Sequence, residues 1–319
     1  MNLIKRLLDT GRGCLLVIGA TLLTALGLAM YGVDSDLINF FLPTRTVVLT
    51  CLLVSVGMLV LHLALRGRFA RSVFVYALGV TALVLAAMIY VREFTAYREV
   101  ELSFENEGAS LVGTLYLPQP IGRYPTAVIA HGSIRAPRRL YHLFADRLVR
   151  RGIAVYSFDK RGTGESGGVY EAENNGRLEN LTLLASDVAA AVEKVRHHPE
   201  IEESHVGILG ISMGGWLAPL AADQTDSVGF MVLVSGPTVS VGEEGYFSDL
   251  TGEIHGEGSG LSDIAIDSLV MARSPSGFDP RLLLQELSIP GLWLFGSEDS
   301  SVPVAKSKVV LVSLVTRYN

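Results

Sequence analysis

The sequence predicts an α/β fold with a mostly parallel sheet, preceded by three membrane-spanning helices. Two observations predict it. The first 91 residues contain three stretches of 20 residues without Asp, Glu, Lys or Arg, at 14–33, 46–65 and 72–91. From about Val100 onward, short apolar runs alternate with helical patterns, as expected for strands that helices connect. We therefore expect an anchor domain at 1–95 and a globular domain at 96–319.

Each charge-free stretch is long enough to cross the hydrocarbon core of a bilayer as a helix. Buried helices of a soluble bundle are the alternative, and a cleaved signal peptide would account only for the first stretch. Basic residues precede the first stretch and separate the second from the third: Lys5, Arg6, Arg12, Arg66, Arg68 and Arg71. Because positively charged loops stay in the cytoplasm, we expect a cytoplasmic N-terminus. Residues 14–91 would then have the lipid bilayer as partner, and the globular domain would lie outside a bacterial inner membrane.

The charge of the globular part argues against nucleic acid as a partner. Residues 92–319 carry 19 Lys and Arg against 29 Asp and Glu. A phosphate backbone calls for a basic surface. The two cysteines, Cys14 and Cys51, both precede this part, so it holds neither a disulfide nor a cysteine metal site.

The elements follow in order along the globular part. Residues 100–104 and 111–117 are expected to open the sheet as an antiparallel pair. The buried strands expected next are 126–130, 153–158, 206–210, 230–234 and 292–295. The expected helices are 140–151, 178–196, 213–222 and 303–315. Residues 237–288 interrupt the alternation with a segment rich in Gly, Ser and Glu, containing one or two amphipathic helices such as 261–272. This segment is predicted to be a lid over a pocket.

Ser212 lies in the pattern Gly-x-Ser-x-Gly between a predicted strand and a predicted helix. Such a turn strains the serine backbone and lifts the hydroxyl clear of the sheet, where it can act as a nucleophile. Gly210 and Gly214 avoid a collision between strand and helix, and the helix N-terminus points N–H groups at a developing oxyanion. An ordinary strand-to-helix turn is the alternative.

Two further strand ends carry candidate functional groups. His131-Gly132-Ser133 follows the strand at 126–130, and the backbone N–H groups of Ser133 and Met213 are the expected oxyanion-hole donors. Asp299 follows the strand at 292–295, 87 residues after Ser212, where a carboxylate can orient a catalytic histidine. A plain turn at 131–133 and a solvated carboxylate or helix cap at Asp299 are the alternatives.

The glycine-rich loop at 159–166 matches neither of the common phosphate-binding spacings. A buried ion pair or hydrogen-bonded turn through Asp159 and Arg161 is the better interpretation. This loop is therefore predicted to be structural.

Together these segments, from about residue 100 to 315, resemble the α/β-hydrolase superfamily. The resemblance is to its esterase and peptidase-like branch, which includes dienelactone-hydrolase-like and serine-aminopeptidase-like proteins. It implies cleavage of a small-molecule carboxylic ester or related acyl substrate through an acyl-enzyme on Ser212, with Asp299 as the acid and no cofactor. A peptidase of the same fold and a catalytically dead binding or sensing module are the alternatives.

The same resemblance implies a histidine about 25–35 residues after the acid, and no histidine follows Asp299 in the sequence. The catalytic histidine is therefore not found in the chain. The histidines of the globular part are His131, His142, His197, His198, His205 and His255. His131 is predicted to be structural, and His255 is the one in the lid. We expect a C-terminal strand and helix of the fold to be missing and the hydrolase to be impaired.

Overall fold

The computed structural model describes residues 97–253 and 256–315. They belong to the second of two units into which the chain divides, Phe94–Asn319. The three predicted membrane spans, at 14–33, 46–65 and 72–91, lie outside the described residues.

The predicted membrane localisation needs correction. Across residues 97–253 and 256–315, every helix is too short or too polar to cross a bilayer. The longest, Leu178–Arg196, has 19 residues and carries charged side chains such as Glu179, Asp187 and Lys194. This finding contradicts the predicted membrane anchor and the predicted extracytoplasmic location.

Seven strands of the described chain form one sheet in the order β1-β2-β4-β3-β5-β6-β7. The strands are β1 (Tyr97–Asn106), β2 (Ala109–Pro118), β3 (Tyr124–Ala130), β4 (Ala154–Phe158), β5 (Ile201–Ile211), β6 (Met231–Val234) and β7 (Gly291–Leu294). The pairs β1–β2 and β2–β4 are antiparallel, and all other neighbours are parallel. The opening antiparallel pair and the mostly parallel sheet are therefore confirmed.

Seven α-helices connect the strands in the described chain. They are α1 (His142–Val149), α2 (Leu178–Arg196), α3 (Gly214–Gln224), α4 (Val241–Thr251), α5 (Asp263–Ala272), α6 (Arg281–Glu286) and α7 (Val304–Val315). Short 3₁₀ turns occur at Arg138–Tyr141 and Ala172–Asn174.

Helices cover both faces of the sheet. Neighbouring residues of a strand point to opposite faces, so their packing partners show which helices lie on each face. Val128 belongs to the apolar cluster that includes α2 and α3, whereas Ile129 belongs to the cluster that includes α1. Tyr156 and Val155 divide in the same way on β4. With both faces covered, β4 is buried along its whole length and is apolar except at Ser157.

The insertion at 237–288 contains three helices, α4, α5 and α6, where the sequence predicted one or two. Helix α4 was missed because Gly242 and Gly245 weaken its helical pattern. A capping box at its start was the available signal, since the Ser240 side chain and backbone both pair with the Glu243 carboxylate.

A buried ion-pair network ties the insertion to α7. The Glu243 carboxylate, fully buried, lies 2.5 Å from Lys306 Nζ and 2.6 Å from an Arg281 guanidinium nitrogen. Lys306 also donates to the carbonyl oxygens of Val270 and Arg273 at the end of α5. One carboxylate and one ammonium group therefore join the start, middle and end of the insertion to the final helix.

Candidate active site

Ser212 lies at the turn between the carboxyl end of β5 and the start of α3. Its φ is +52°, a left-handed conformation that is costly for a residue with a side chain. The backbone holds it there, because Ser212 N–H donates to Val234 O at 3.0 Å and Gly215 N–H donates to Ser212 O at 2.7 Å. The strained strand-to-helix turn predicted from the sequence is present in the structure.

Two glycines make this turn possible. A Cβ atom on Gly210 would lie 2.6 Å from the carbonyl oxygen of Gly214, and one on Gly214 would lie 2.6 Å from the carbonyl oxygen of Ala130. Backbone atoms cannot move aside as a flexible side chain can. The turn therefore requires glycine on both sides of Ser212.

The loop after β3 lies directly beside Ser212. A Cβ atom built on Gly132 would lie 3.5 Å from Ser212 Cβ. Within residues 97–253 and 256–315, neither the Ser133 N–H nor the Met213 N–H is paired with an acceptor. The structure therefore leaves both predicted oxyanion-hole donors available.

His131 is buried at the start of this loop, with its ring packed against Tyr141 and Phe158. Burial lowers its pKa to about 3, and the nearby Lys160 ammonium adds to this effect. The imidazole is therefore neutral near pH 7 and enclosed, which agrees with a structural role for His131.

The loop after β4 is built differently from the predicted Asp159–Arg161 interaction. The Asp159 carboxylate accepts hydrogen bonds from the backbone and side chain of Arg138 and from the Glu165 N–H. Arg161 instead pairs with Asp187 on α2, at 2.5 Å. The hydrogen-bonded turn is confirmed, but the ion pairs join other elements.

Asp299 lies in the loop between β7 and α7 and is half-buried, whereas its neighbour Glu298 is exposed. Its Oδ1 accepts the N–H groups of Ser301 and Val302, at 3.0 and 2.9 Å. These bonds to the residues two and three positions further on form an Asx turn, which fixes the carboxylate in the loop before α7. No described histidine hydrogen-bonds to Asp299, so its role as the acid that orients a base stays a prediction.

Glu244 on α4 is a neighbour of Asp299 that sequence analysis missed. Burial, followed by the neighbouring carboxylates of Glu253, Asp299 and Asp249, raises its pKa to about 7. The signal in the sequence was weak, because nothing about a glutamate in the insertion shows which strand end it will face.

None of the described histidines hydrogen-bonds to Ser212. His142 contacts Tyr97 at 3.1 Å, on the side of α1. His205 lies on β5, seven residues before Ser212, and seven residues of extended chain span about 23 Å. His197 and His198 precede that strand and lie at the same distant end. His255 lies outside the described residues.

A cavity of about 680 Å³ lies between α4, α5 and the loop that contains Asp299. Its lining combines apolar side chains such as Phe247 and Ile266 with charged ones such as Asp267 and Lys308. The insertion therefore borders a cavity that adjoins Asp299 and not Ser212, so its role as a lid over the Ser212 site stays a prediction. No group of three or more His, Cys, Asp or Glu that could hold a metal ion is found in the described part of the chain.

Comparisons with known proteins agree with this geometry. Residues 125–256 match the family model described as serine aminopeptidase, S33. Esterase EstD of Thermotoga maritima is 24% identical over 249 residues, which cover 68% of this chain and 57% of that protein. Thiohydrolase aneE of Aspergillus aculeatus is 32% identical over 130 residues, which cover 41% of this chain and 38% of that protein.

Among solved structures, the acylaminoacyl peptidase of Pyrococcus horikoshii superposes with a TM-score of 0.50 at 16% identity, covering 72% of this chain and 37% of that one. The fold is that of the α/β hydrolases. The chain spans about a third of the length of the first curated relatives it matches. The matched family model and the named relatives are of hydrolases of the peptidase, esterase and thiohydrolase types.

Proposed function

We propose that this chain is a serine hydrolase that attacks carboxylic esters, or related acyl groups, through Ser212. One observation carries the proposal. A serine is held at φ +52° where the interior strand β5 meets α3, beside the loop that contains Gly132 and Ser133. In the proposal, the Ser212 hydroxyl acts next to the N–H groups of Ser133 and Met213, which have no acceptor among the described residues.

In the proposed reaction, Ser212 Oγ attacks the carbonyl carbon while a base removes its proton. The N–H groups of Ser133 and Met213 stabilise the oxyanion of the tetrahedral intermediate. The leaving group departs with a proton, and water then hydrolyses the acyl-enzyme. Asp299 would orient the base. Because no described histidine reaches Ser212, we expect slow acylation, since removing a triad member leaves about 10³–10⁴-fold catalysis from oxyanion stabilisation and binding.

The test is labelling by a fluorophosphonate probe, which forms a covalent bond with an activated serine. We expect the probe to label the unaltered chain faster than its Ser212→Ala variant. Ser235→Ala is the matched control, because Ser235 ends the neighbouring strand β6 with a similar φ of +48°. Equal labelling of the unaltered chain and the Ser212→Ala variant would overturn the proposal. A loss of labelling in Ser235→Ala alone would mean that Ser212 is not the nucleophile.

The acyl substrate class is a separate question within the same proposal. The family match is to aminopeptidases, whereas EstD is named as an esterase and aneE as a thiohydrolase. We favour an ester, because its alkoxide leaving group needs less protonation than an amine, which suits a site without a described base. Faster release of p-nitroaniline from aminoacyl anilides than of p-nitrophenol from short esters would favour the peptidase instead.

A binding or sensing module on the same fold is the second candidate. The absence of a histidine beside Ser212 among the described residues favours it. Replacing His255 by alanine helps to separate the two candidates. Ser212-dependent labelling that falls in His255→Ala would identify an enzyme whose base comes from the insertion.

A further inference from the structure

Three consecutive carbonyl groups of the loop beside Ser212 are bound by side chains that follow β4. Lys160 Nζ donates to Gly132 O at 2.6 Å and to Ile134 O at 3.1 Å. Between them, Ser133 O accepts hydrogen bonds from the Tyr170 hydroxyl and from Asn175 Nδ2. The segment predicted to be merely structural therefore fixes the backbone of the predicted oxyanion loop.

The Lys160 bond to Gly132 has a specific geometric consequence. The peptide unit that contains the Gly132 carbonyl also contains the Ser133 N–H, and a trans peptide is planar with these two groups on opposite sides. No cis peptide bond occurs among the described residues. Drawing the Gly132 oxygen toward Lys160 therefore points the Ser133 N–H away from Lys160.

Lys160 has no donor left for the Ser212 hydroxyl. An ammonium group has three N–H donors. Two reach carbonyl oxygens, and Nζ also lies 4.0 Å from the centre of the Tyr170 ring, a cation–π contact. Only 2% of the residue is exposed, and no described carboxylate pairs with it. These contacts indicate a residue that positions the loop rather than a base.

We propose that Lys160 is a positioning residue that holds the Gly132–Ser133 peptide with its N–H available to an oxyanion formed at Ser212. The inference rests on the proposed hydrolase function. It also explains why a lysine is buried here at all, since a buried ammonium without a carboxylate partner is costly. A methionine would fill the same space without that cost.

The test compares Lys160→Met with Tyr170→Phe. Methionine removes both donors, and one oxyanion-hole donor is worth about 100-fold in turnover. We expect fluorophosphonate labelling of Ser212 and kcat on p-nitrophenyl esters to fall by about that factor in Lys160→Met, with KM unchanged within about twofold. Tyr170→Phe removes a bond to the Ser133 carbonyl, which belongs to the next peptide unit, so its effect should stay within about threefold.

Thermal melting separates positioning from general support. We expect Lys160→Met to melt close to the temperature of the unaltered chain, because removal of a buried charge offsets the loss of the donor to two carbonyl groups. Labelling of Lys160→Met at the unaltered rate would overturn the inference and leave the proposed function standing. Equal losses in Lys160→Met and Tyr170→Phe would also overturn it, since the loop would then be supported as a whole. If the unaltered chain labels no faster than Ser212→Ala, the proposed function itself fails, and this inference fails with it.

Discussion

At the scale of single residues, the backbone of Ser212 is the feature that most needs an explanation. Only three non-glycine residues of the described chain have positive φ: Glu107, Ser212 and Ser235. Strain of this kind persists only where the surrounding structure enforces it. At Ser212 the enforcing bonds come from β6 and α3, which hold the side chain beside Gly132.

The burial of Lys160 makes stability depend on pH. Burial lowers its pKa to about 7 in the folded protein, against an ordinary value of 10.5. Between these values the unfolded chain binds more protons, so stability rises with pH by up to about 1.4 kcal/mol per pH unit. The destabilisation that results from burying the charged form of Lys160 is fully present below pH 7. We therefore expect the free energy of unfolding of Lys160→Met relative to that of the unaltered chain, measured with urea, to fall between pH 7 and 9.

Neighbouring groups do not change the sign of this prediction. The titratable groups near Lys160 are His131, whose pKa is about 3, and Tyr141 and Tyr170, whose pKa values burial raises. They are present in both proteins, so their own titration cancels in the comparison. A difference between the two proteins that stays constant from pH 7 to 9 would contradict the expected titration of Lys160.

The sequence could not predict which residues form ion pairs when they are far apart in the chain. Asp159 and Arg161 were expected to interact because they are close in the chain. Their true partners, Arg138 and Asp187, lie 21 and 26 residues away. Which buried charges meet depends on the packing of β4 against α2 and the loop after β3, and that packing has no local signal in the sequence.

At the scale of elements, the turn around Ser212 gives a sharp test. Gly210→Ala places a methyl group 2.6 Å from the Gly214 carbonyl oxygen. We expect the free energy of unfolding to fall by about 3 kcal/mol, as for overpacking in a well-filled core. Gly245→Ala is the control, because a Cβ there meets nothing within 4 Å and the residue lies inside α4.

In that control, alanine should stabilise the helix by about 1 kcal/mol because glycine costs more conformational entropy. Chemical unfolding of both variants measures the contrast. Similar losses in the two proteins would mean that the close approach of strand and helix at Gly210 is not what requires glycine.

Most elements could be predicted from the sequence, because their patterns are local. All seven strands lie where apolar runs predicted them, and α2 spans Leu178–Arg196 as expected. The loop at Gly132 and the turn at Ser212 lie side by side because the parallel strands β3 and β5 end together there. Helix α4 and the neighbour Glu244 were missed, since glycines obscured the first and tertiary packing alone positions the second.

At the scale of the whole molecule, Lys306 connects parts of the chain that are distant in sequence. Removing one partner of a buried ion pair costs about 3–5 kcal/mol, because the other charge stays buried. We expect Lys306→Met to lower the free energy of unfolding by about 3 kcal/mol, somewhat less than the maximum because Arg281 still pairs with Glu243.

Lys308→Met provides the control on the same helix. Lys308 is exposed, and an exposed substitution of this kind changes stability by at most about 0.5 kcal/mol. Urea unfolding of the two variants measures the difference. Equal stability of both variants would show that the network around Glu243 contributes little to holding the insertion.

The same network bears on how a substrate would enter. Because Glu243, Arg281 and Lys306 fix the insertion at its start and end, it cannot swing as a hinged flap without breaking buried ion pairs. Enzymes limited by such opening slow down when sucrose or glycerol thickens the solvent. For this protein we expect turnover to be indifferent to solvent viscosity, with the insertion acting as a fixed wall that substrates diffuse past.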